Sequence, residues 1–253
     1  MANEKKEEFD LRKFVPEEEQ RKTFAKVFDK RTIHALHKLA SRGYFDIVEH
    51  VISTGKEAHV FLAQDSAGNS KAVKIYKTDT SDFNKMYGYL HGDRRFGKVK
   101  RNKRDIVFAW AKKEFSNLLL INKVGVSCPM PIAFFENVLV MEFIGTDEIA
   151  SSSLKDNPLE NVEETYKIEI DFLARLLFKA ELVHADFSEY NILNRNGELV
   201  LIDVGQAVLT THPEAEAFFE RDLNNVANYF SKKGLKKTAE EVRADVKALK
   251  ETV

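Results

Sequence analysis

The chain is poor in cysteine, since Cys128 is the only one among 253 residues. A single thiol excludes an internal disulfide and a zinc site built from several cysteine ligands. The sequence also lacks an apolar run of the ~20 residues that a membrane-spanning helix requires. Its first residues, MANEKKEEFD, lack the apolar core of a secretion signal. We therefore expect a cytoplasmic protein that does not contact a membrane.

An excess of charge of one sign is absent as well. Lys and Arg number 39 and Asp and Glu 40, a formal net charge of -1, so bulk charge does not indicate a protein that coats nucleic acid. The hydrophobic content of 43% is ordinary for a globular protein. The length is sufficient for one large domain or for two lobes.

The most informative stretch contains His184, Asp186 and Asn191 in H-x-D-x-x-x-x-N spacing, followed by Asp203 and Gly205 in a D-x-G motif. This layout is typical of a phosphoryl-transfer catalytic loop followed by a metal loop. The chemistry needs one carboxylate to orient and deprotonate a hydroxyl, and an amide oxygen with a second carboxylate to hold Mg²⁺. We assign Asp186 as the catalytic base and Asn191 and Asp203 as metal ligands.

Short apolar runs on either side of Asn196-Gly197 predict a tight hairpin, because both residues tolerate positive φ. Such a hairpin would bring Asn191 and Asp203 to the same end. The alternative is a surface turn in which Asp186 and Asn191 only cap the backbone, as Asp and Asn often do.

Three strands are predicted in the first half of the chain, at 47–53, 59–64 and 71–76. Residues 53–58, S-T-G-K-E-A, lie where a kinase folds a glycine-rich loop over ATP phosphates. The loop has a single glycine, so a plain turn is the alternative. The ATP-binding residues predicted in this loop are Thr54, Gly55, Lys56, Glu57 and Ala58.

Lys74 lies in A-V-K-I of the third strand and matches the kinase lysine that contacts the α- and β-phosphates and pairs with a glutamate on the next helix. The helix predicted at 105–123 carries Glu114 beside its apolar face, and we assign it as the partner of Lys74. Strands predicted at 131–136 and 138–143 then open into a hinge. In a two-lobed kinase the hinge backbone binds adenine, and the predicted contacts are Met141, Glu142 and Ile144.

Lysine and arginine dominate residues 78–104, which we name the basic segment, and Tyr87, Tyr89 and Phe96 interleave with these charges. Loops of this length are usually functional or disordered. One interpretation is a contact site at 85–104 for phosphorylated or RNA-containing partners, since cations bind phosphate and aromatic rings stack on bases. The other interpretation is a mobile, solvated loop.

These patterns divide the chain into a helical extension at 1–46, an N-terminal lobe at 47–144 and a C-terminal lobe at 145–253. The helices predicted for the C-terminal lobe are 162–181, 213–233 and 236–250.

The motifs STGKEA, AVKIY, MEFIG, LVHADFSEYNIL and LIDVGQAV occur in this order, and with them the sequence resembles the RIO-type atypical protein kinases, specifically the Rio-one subfamily. The resemblance implies an α+β, two-lobed protein-kinase-like fold that binds ATP and Mg²⁺, or Mn²⁺, between its lobes. Only 48 residues follow Gly205, and they contain no A-P-E motif. We therefore expect a trimmed C-terminal lobe without an activation segment or peptide-docking helices.

The resemblance also implies an autophosphorylating serine/threonine kinase with ATPase activity, which acts on itself or on a protein substrate in maturation of the small ribosomal subunit. The basic segment would contact the subunit precursor and its RNA. A second interpretation is an assembly factor switched by ATP hydrolysis through a transient aspartyl phosphate on Asp203, with little transfer to protein. A third is a small-molecule kinase of the aminoglycoside type, but those enzymes need a larger helical lobe after the metal loop.

Overall fold

The computed structural model describes Val15, residues 28–79 and residues 81–253. Most of the helical extension predicted at 1–46 lies outside these residues. Within them, no helix is both long enough and apolar enough to cross a membrane.

The N-terminal lobe contains an antiparallel sheet of five strands in the order β1-β2-β3-β5-β4. Every strand bound agrees with the sequence prediction to within one residue. On β3, Val73 and Ile75 face one core cluster while Lys74 and Tyr76 face the other side, as the two-residue period of a strand requires. The strands are β1 (Ile47–Thr54), β2 (Ala58–Gln64), β3 (Ser70–Tyr76), β4 (Pro131–Phe135) and β5 (Val138–Glu142).

Helix α1 (Lys30–Ala40) covers the outer face of this sheet. Its N-cap is Asp29, whose carboxylate accepts a hydrogen bond from the backbone N–H of Thr32 at 2.7 Å. Leu36 and Leu39 are buried in the same cluster as the outward side chains of β3. The other face of the sheet is left to the helices that follow β3.

The basic segment is not one long loop, because helix α2 (Phe83–His91) occupies its middle. Phe83, Met86 and Leu90 are buried at helical spacing. Lys85 and Gly88 lie among these residues and obscure the period in the sequence, so the prediction of a continuous loop is wrong.

Two features of the basic segment also differ from the expectation of a solvated, aromatic-lined contact site. Tyr89 and Phe96 are buried in the core, so their rings cannot stack on bases. Asp93, the one acid of the segment after Asn84, is buried as well and accepts a hydrogen bond from Arg95 at 2.6 Å. Arg95 is therefore engaged within the protein.

Helix α3 (Lys103–Lys123) follows and packs against α2, β4 and β5. Its N-cap, Asn102, accepts a hydrogen bond from the backbone N–H of Asp105 at 3.0 Å. Trp110 is among the apolar residues that α3 buries, but Lys113, Glu114 and Asn117 are buried too. Burying polar groups costs stability unless each has a partner, and the partners of these three lie in the C-terminal lobe and on β3.

The C-terminal lobe is mainly helical. Residues 206–214 separate Gly205 from the next helix and include a short strand that pairs with the strand before the catalytic loop. The predicted hairpin at Asn196-Gly197 is confirmed, with φ angles of 52° and 98° at its two turn residues. The elements are β6 (Gly145–Thr146), β7 (Ile149–Ala150), α4 (Val162–Phe178), β8 (Leu182–Val183), β9 (Ile192–Arg195), β10 (Glu198–Leu201), β11 (Val208–Leu209), α5 (Ala215–Lys232) and α6 (Ala239–Ala248).

Candidate active site

Lys74 lies between two carboxylates at the junction of the lobes. Its Nζ donates to both carboxylate oxygens of Glu114, at 2.8 and 2.9 Å, and to Asp203 Oδ1 at 2.9 Å. The Glu114 side chain is 1% exposed, whereas that of Asp203 is 48% exposed. The Lys74–Glu114 pair assigned from the sequence is therefore formed. Lys74 also connects this pair to Asp203, the first residue of the segment 203–207, which we call the metal loop.

These three groups shift one another's pKa. Burial alone would lower the pKa of Lys74, but the charges of Asp203 and Glu114 outweigh burial and raise it. Burial raises the pKa of Glu114 to about 7, although Lys74 opposes the shift. The Lys74 ammonium lowers the pKa of Asp203. Asp203 is therefore ionised at neutral pH.

The catalytic loop, residues 184–191, is tied to the metal loop by hydrogen bonds. Asn191 Nδ2 donates to the backbone oxygen of Asp186 at 2.8 Å and to its Oδ2 at 3.2 Å. Gln206 donates to the same Oδ2 at 3.2 Å, and the N–H of Ile202 donates to the Asn191 carbonyl at 2.9 Å. The structure thus brings Asp186, Asn191 and Asp203 together. Gln206, which the motif spacing does not single out, is part of this arrangement.

The oxygen atoms of Asn191 and Asp203 fit a magnesium ion. Because the amide nitrogen of Asn191 donates to Asp186, its amide oxygen is the atom that this side chain can offer to a cation. The carboxylate of Asp203 is ionised and half exposed. Mg²⁺ prefers such oxygen ligands and commonly takes the rest from phosphate and water.

A buried acid on α5, which the sequence motifs do not reveal, is hydrogen-bonded to the backbone of the catalytic loop. Asp222 is fully buried, and its carboxylate accepts hydrogen bonds from the backbone N–H groups of Ala185 and Phe187 at 2.8 and 2.9 Å. Ala185 has a φ of 67°, which a residue with a side chain adopts only under constraint. The available signal was the position of Asp222 in the buried stripe of α5.

His184 supports the catalytic loop by packing. It is 1% exposed, and its ring meets that of Phe187 edge-on at 5.7 Å. Burial lowers the pKa of His184 to about 4. The imidazole is therefore neutral at physiological pH and adds no charge to the site.

Two adjoining cavities lie between the lobes, and Lys74 and Asp203 line both of them. The larger has a volume of about 510 Å³ and is bordered by the hinge, including Met141, Glu142 and Ile144. The smaller, about 310 Å³, lies under the 53–58 loop and is lined by the loop residues Gly55, Lys56, Glu57 and Ala58. The larger volume is in the range of small-molecule sites.

Two predicted site residues have other contacts. Thr54 is exposed at the end of β1, where its hydroxyl lies 3.2 Å from His59 Nδ1, and it lines neither cavity. The carboxylate of Glu142 accepts hydrogen bonds from the Met130 N–H at 3.1 Å and from Arg195 at 3.2 Å. The Glu142 side chain therefore ties the hinge to β9.

A family model described as the RIO domain matches residues 59–243, a span that includes Lys74, Glu114, Asp186, Asn191 and Asp203. This chain belongs to the RIO kinase family. Its relatives include the RIO-type serine/threonine-protein kinase Rio1 of Haloferax volcanii, which is 43% identical over 92% of this chain and 81% of its own length. The Rio1 kinase of Methanocaldococcus jannaschii is 39% identical over 90% of this chain and 81% of its own length.

A human relative, the serine/threonine-protein kinase RIO1, is 40% identical over 85% of this chain, but the match covers only 39% of the human protein. The family model and these relatives identify this chain as a serine/threonine-protein kinase.

Among solved structures, the Rio2 kinase–ADP/Mg²⁺–phosphoaspartate complex from Chaetomium thermophilum matches 86% of this chain and 66% of its own, with a TM-score of 0.65 and 22% identity. A second Rio2 structure from that organism matches 84% of this chain and 67% of its own, with a TM-score of 0.63 and 23% identity. The predicted kinase-like, two-lobed α+β fold is confirmed.

Proposed function

We propose that this RIO kinase transfers the γ-phosphoryl group of MgATP to a serine or threonine hydroxyl, on itself or on a protein substrate. The observation that carries the proposal is the position of Lys74. Its ammonium joins Glu114 to Asp203 where the two interlobe cavities meet, and the catalytic loop is hydrogen-bonded to the same metal loop.

In this proposal the base of ATP lies in the larger cavity against the hinge, with the backbone of Glu142 and Ile144 as its partners. The phosphates lie in the smaller cavity, where Lys74 contacts the α- and β-phosphates. The Asn191 amide oxygen and the Asp203 carboxylate hold Mg²⁺, which neutralises phosphate charge when bound. The 53–58 loop covers the phosphates with backbone groups.

Asp186 and Asp203 have opposite pKa shifts, which suits them to different roles. Burial, together with the charge of Asp203, raises the pKa of Asp186, so this carboxylate is the better proton acceptor. It orients the attacking hydroxyl and takes its proton as the hydroxyl oxygen bonds to the γ-phosphorus. The bond from that phosphorus to the β–γ bridging oxygen breaks, and ADP leaves with the electron pair.

A second candidate function is an ATPase switch that passes through an aspartyl phosphate. It is favoured by the 48% exposure of the ionised Asp203 side chain, which lines the smaller cavity, and by the phosphoaspartate in the Rio2 complex of C. thermophilum. A carboxylate oxygen of Asp203 would attack the γ-phosphorus and displace ADP. Water would then hydrolyse the acyl phosphate to inorganic phosphate and restore Asp203.

We place this activity in the cytoplasm, in maturation of the small ribosomal subunit, with the basic segment as the contact for precursor RNA. Arg95 is engaged within the protein, but other lysine and arginine side chains of the segment are exposed. They form a positively charged surface that attracts the phosphate backbone of RNA. Within 85–104 these cations are Lys85, Arg94, Lys98, Lys100, Arg101, Lys103 and Arg104. Charge reversal of Arg94, Lys98 and Arg101 should weaken RNA binding and reduce its salt dependence. Unchanged binding would contradict the RNA contact.

ATP labelled in its γ-phosphate separates the two candidate reactions. The parent protein, Asp186→Ala and Asp203→Ala would be compared with Asp171→Ala, which removes a carboxylate paired with Arg175 on α4. Hydroxylamine-stable phosphoserine that is lost in Asp186→Ala supports the kinase. A hydroxylamine-labile adduct that is lost in Asp203→Ala but kept in Asp186→Ala supports the switch. Parental ATP turnover in both variants would contradict the site assignment.

A further inference from the structure

Helix α3 presents two buried polar side chains to the backbone of the metal loop. Lys113 Nζ donates to the carbonyl oxygen of Gly205 at 2.8 Å and to that of Ala207. Asn117 Nδ2, one helical turn later, donates to the carbonyls of Val204 and Ala207, each at 2.8 Å. Three carbonyls of one short loop are thus held by two side chains from a different lobe.

Burying these polar side chains would reduce stability if they served only to fill space in the core. Lys113 is fully buried, and its hydrogen bonds go to carbonyl oxygens, which carry no full charge to compensate the ammonium. Burial lowers the pKa of Lys113 well below its usual value. An apolar side chain of similar length would fill the same space without this desolvation cost. The hydrogen bonds to the loop are what lysine adds at this position.

The loop that Lys113 and Asn117 hold begins at a strained aspartate. Asp203 has a φ of 55°, a left-handed conformation that a non-glycine residue keeps only when its surroundings fix it. Val204, Gly205 and Ala207, which follow in the loop, are fixed by α3 through their carbonyl oxygens. Gly205 also lies so close to α3 that a Cβ there would be 3.0 Å from Trp110 Nε1.

The same helix sets the other end of the Lys74 bridge. Glu114, which lies next to Lys113 in sequence, accepts two hydrogen bonds from Lys74, and Lys74 donates a third to Asp203. One face of α3 therefore positions both the phosphate-contacting lysine and the aspartate that it meets.

We propose that Lys113 and Asn117 are positioning residues that fix the metal loop to α3, so that the Asp203 carboxylate is held where the nucleotide-bound magnesium ion needs it. This inference rests on the proposed function, because it concerns the metal ligand of that site. It predicts that loss of either side chain weakens the contribution of Mg²⁺ to nucleotide binding more than it weakens nucleotide binding itself.

The test uses Lys113→Met and Asn117→Leu in the full chain, with Lys112→Met as a control that removes an exposed lysine from the same helix. ADP affinity would be measured by calorimetry with Mg²⁺ and with a chelator. We expect the gain in affinity that Mg²⁺ provides to fall by about tenfold in the two variants, the usual effect of losing a group that orients a metal ligand. Affinity in chelator should stay parental. Hydrogen exchange of residues 203–207 without nucleotide should become faster.

The outcomes separate this inference from the function on which it rests. A parent protein without a magnesium-dependent gain in ADP affinity would contradict the proposed metal site. If both variants fold and keep the parental gain in ADP affinity that Mg²⁺ provides, the positioning role alone is overturned, even if their unfolding temperatures fall. If Lys113→Met does not fold, Asn117→Leu decides, because a leucine of similar size replaces an amide whose oxygen is buried without a partner.

Discussion

Replacement of Lys74 by methionine should destabilise the protein mainly through Glu114. Methionine keeps the apolar stem of the side chain but removes the ammonium that satisfies a carboxylate with 1% exposure. Asp203 is 48% exposed and can turn to water, so its lost ion pair contributes less than ~1 kcal/mol. The unmet hydrogen bonds of buried Glu114 cost about 1–3 kcal/mol.

The pH dependence of this loss follows from the pKa of Glu114. Burial raises that pKa to about 7 in the folded parent while Lys74 lowers it, so the pKa in Lys74→Met must lie above that of the parent. The unfolded value is about 4.3. A carboxyl group whose pKa is higher in the folded than in the unfolded state stabilises the fold most below its unfolded pKa. This stabilisation is lost as the pH rises from the unfolded to the folded pKa. Above about pH 7 the parent loses no further stability from Glu114, whereas Lys74→Met continues to lose stability up to its own higher pKa. The difference in free energy of unfolding between the two proteins therefore widens by up to ~1.4 kcal/mol per pH unit.

The assay is urea denaturation at about pH 6 and about pH 8.5, applied to Lys74→Met, Glu114→Gln, the double variant and the exposed control Lys112→Met. The double variant should recover much of the lost stability and lose the pH dependence, because replacing a buried ion pair by neutral groups is often tolerated. It should not recover phosphoryl transfer, since the phosphate contact that we propose for Lys74 is still missing. A stability gap independent of pH, or a double variant no more stable than Lys74→Met, would refute this reasoning.

Three further substitutions test other buried contacts. Glu169→Gln should raise the unfolding temperature at neutral pH, because burial raises the pKa of this carboxyl, whose Oε1 is buried without a hydrogen-bond partner. The gain should vanish below about pH 4, and a gain that persists there would contradict the cause. Asp222→Ala leaves two backbone N–H groups of the catalytic loop without acceptors, so urea denaturation should show a loss of about 2–4 kcal/mol, and parental stability would contradict this role. Gly205→Ala places a Cβ 3.0 Å from the indole nitrogen of Trp110 and should slow phosphoryl transfer by about tenfold. Gly88→Ala on α2, where a Cβ meets nothing within 4 Å, should not; equal rates would count against displacement of the metal loop.

Local patterns in the sequence were sufficient for most of the sheet and for the central residues of the site. Alternating strands and the Asn196-Gly197 turn depend on neighbouring residues, so they are readable without tertiary information. The pairing of Lys74 with Glu114 was inferred across 40 positions only because the surrounding motifs resemble those of a known family. Spacing alone does not indicate which of several glutamates meets a lysine.

The residues that the sequence did not reveal are polar side chains buried on helices. Lys113 and Asp222 are charged residue types in amphipathic helices, and such residues normally face water. Their roles depend on backbone groups of distant loops, which carry no side-chain signature. Helix α2 was missed for the opposite reason, because Lys85 and the many basic residues that follow the helix made a half-buried helix look like part of a charged loop.

The two candidate reactions share one ground state and differ in which oxygen reaches the γ-phosphorus first. Lys74 occupies only Oδ1 of Asp203, and a carboxylate has a second oxygen, so contact with a cation or with phosphorus does not require the lysine to leave. Asp186 is hydrogen-bonded to both Asn191 and Gln206, which holds it beside the metal loop whether or not a substrate hydroxyl is present. Without a hydroxyl, Asp203 would be the nucleophile already in place under the proposed switch. The balance between kinase and ATPase switch should therefore depend on the supply of a protein hydroxyl, and added substrate should lower the yield of the hydroxylamine-labile adduct.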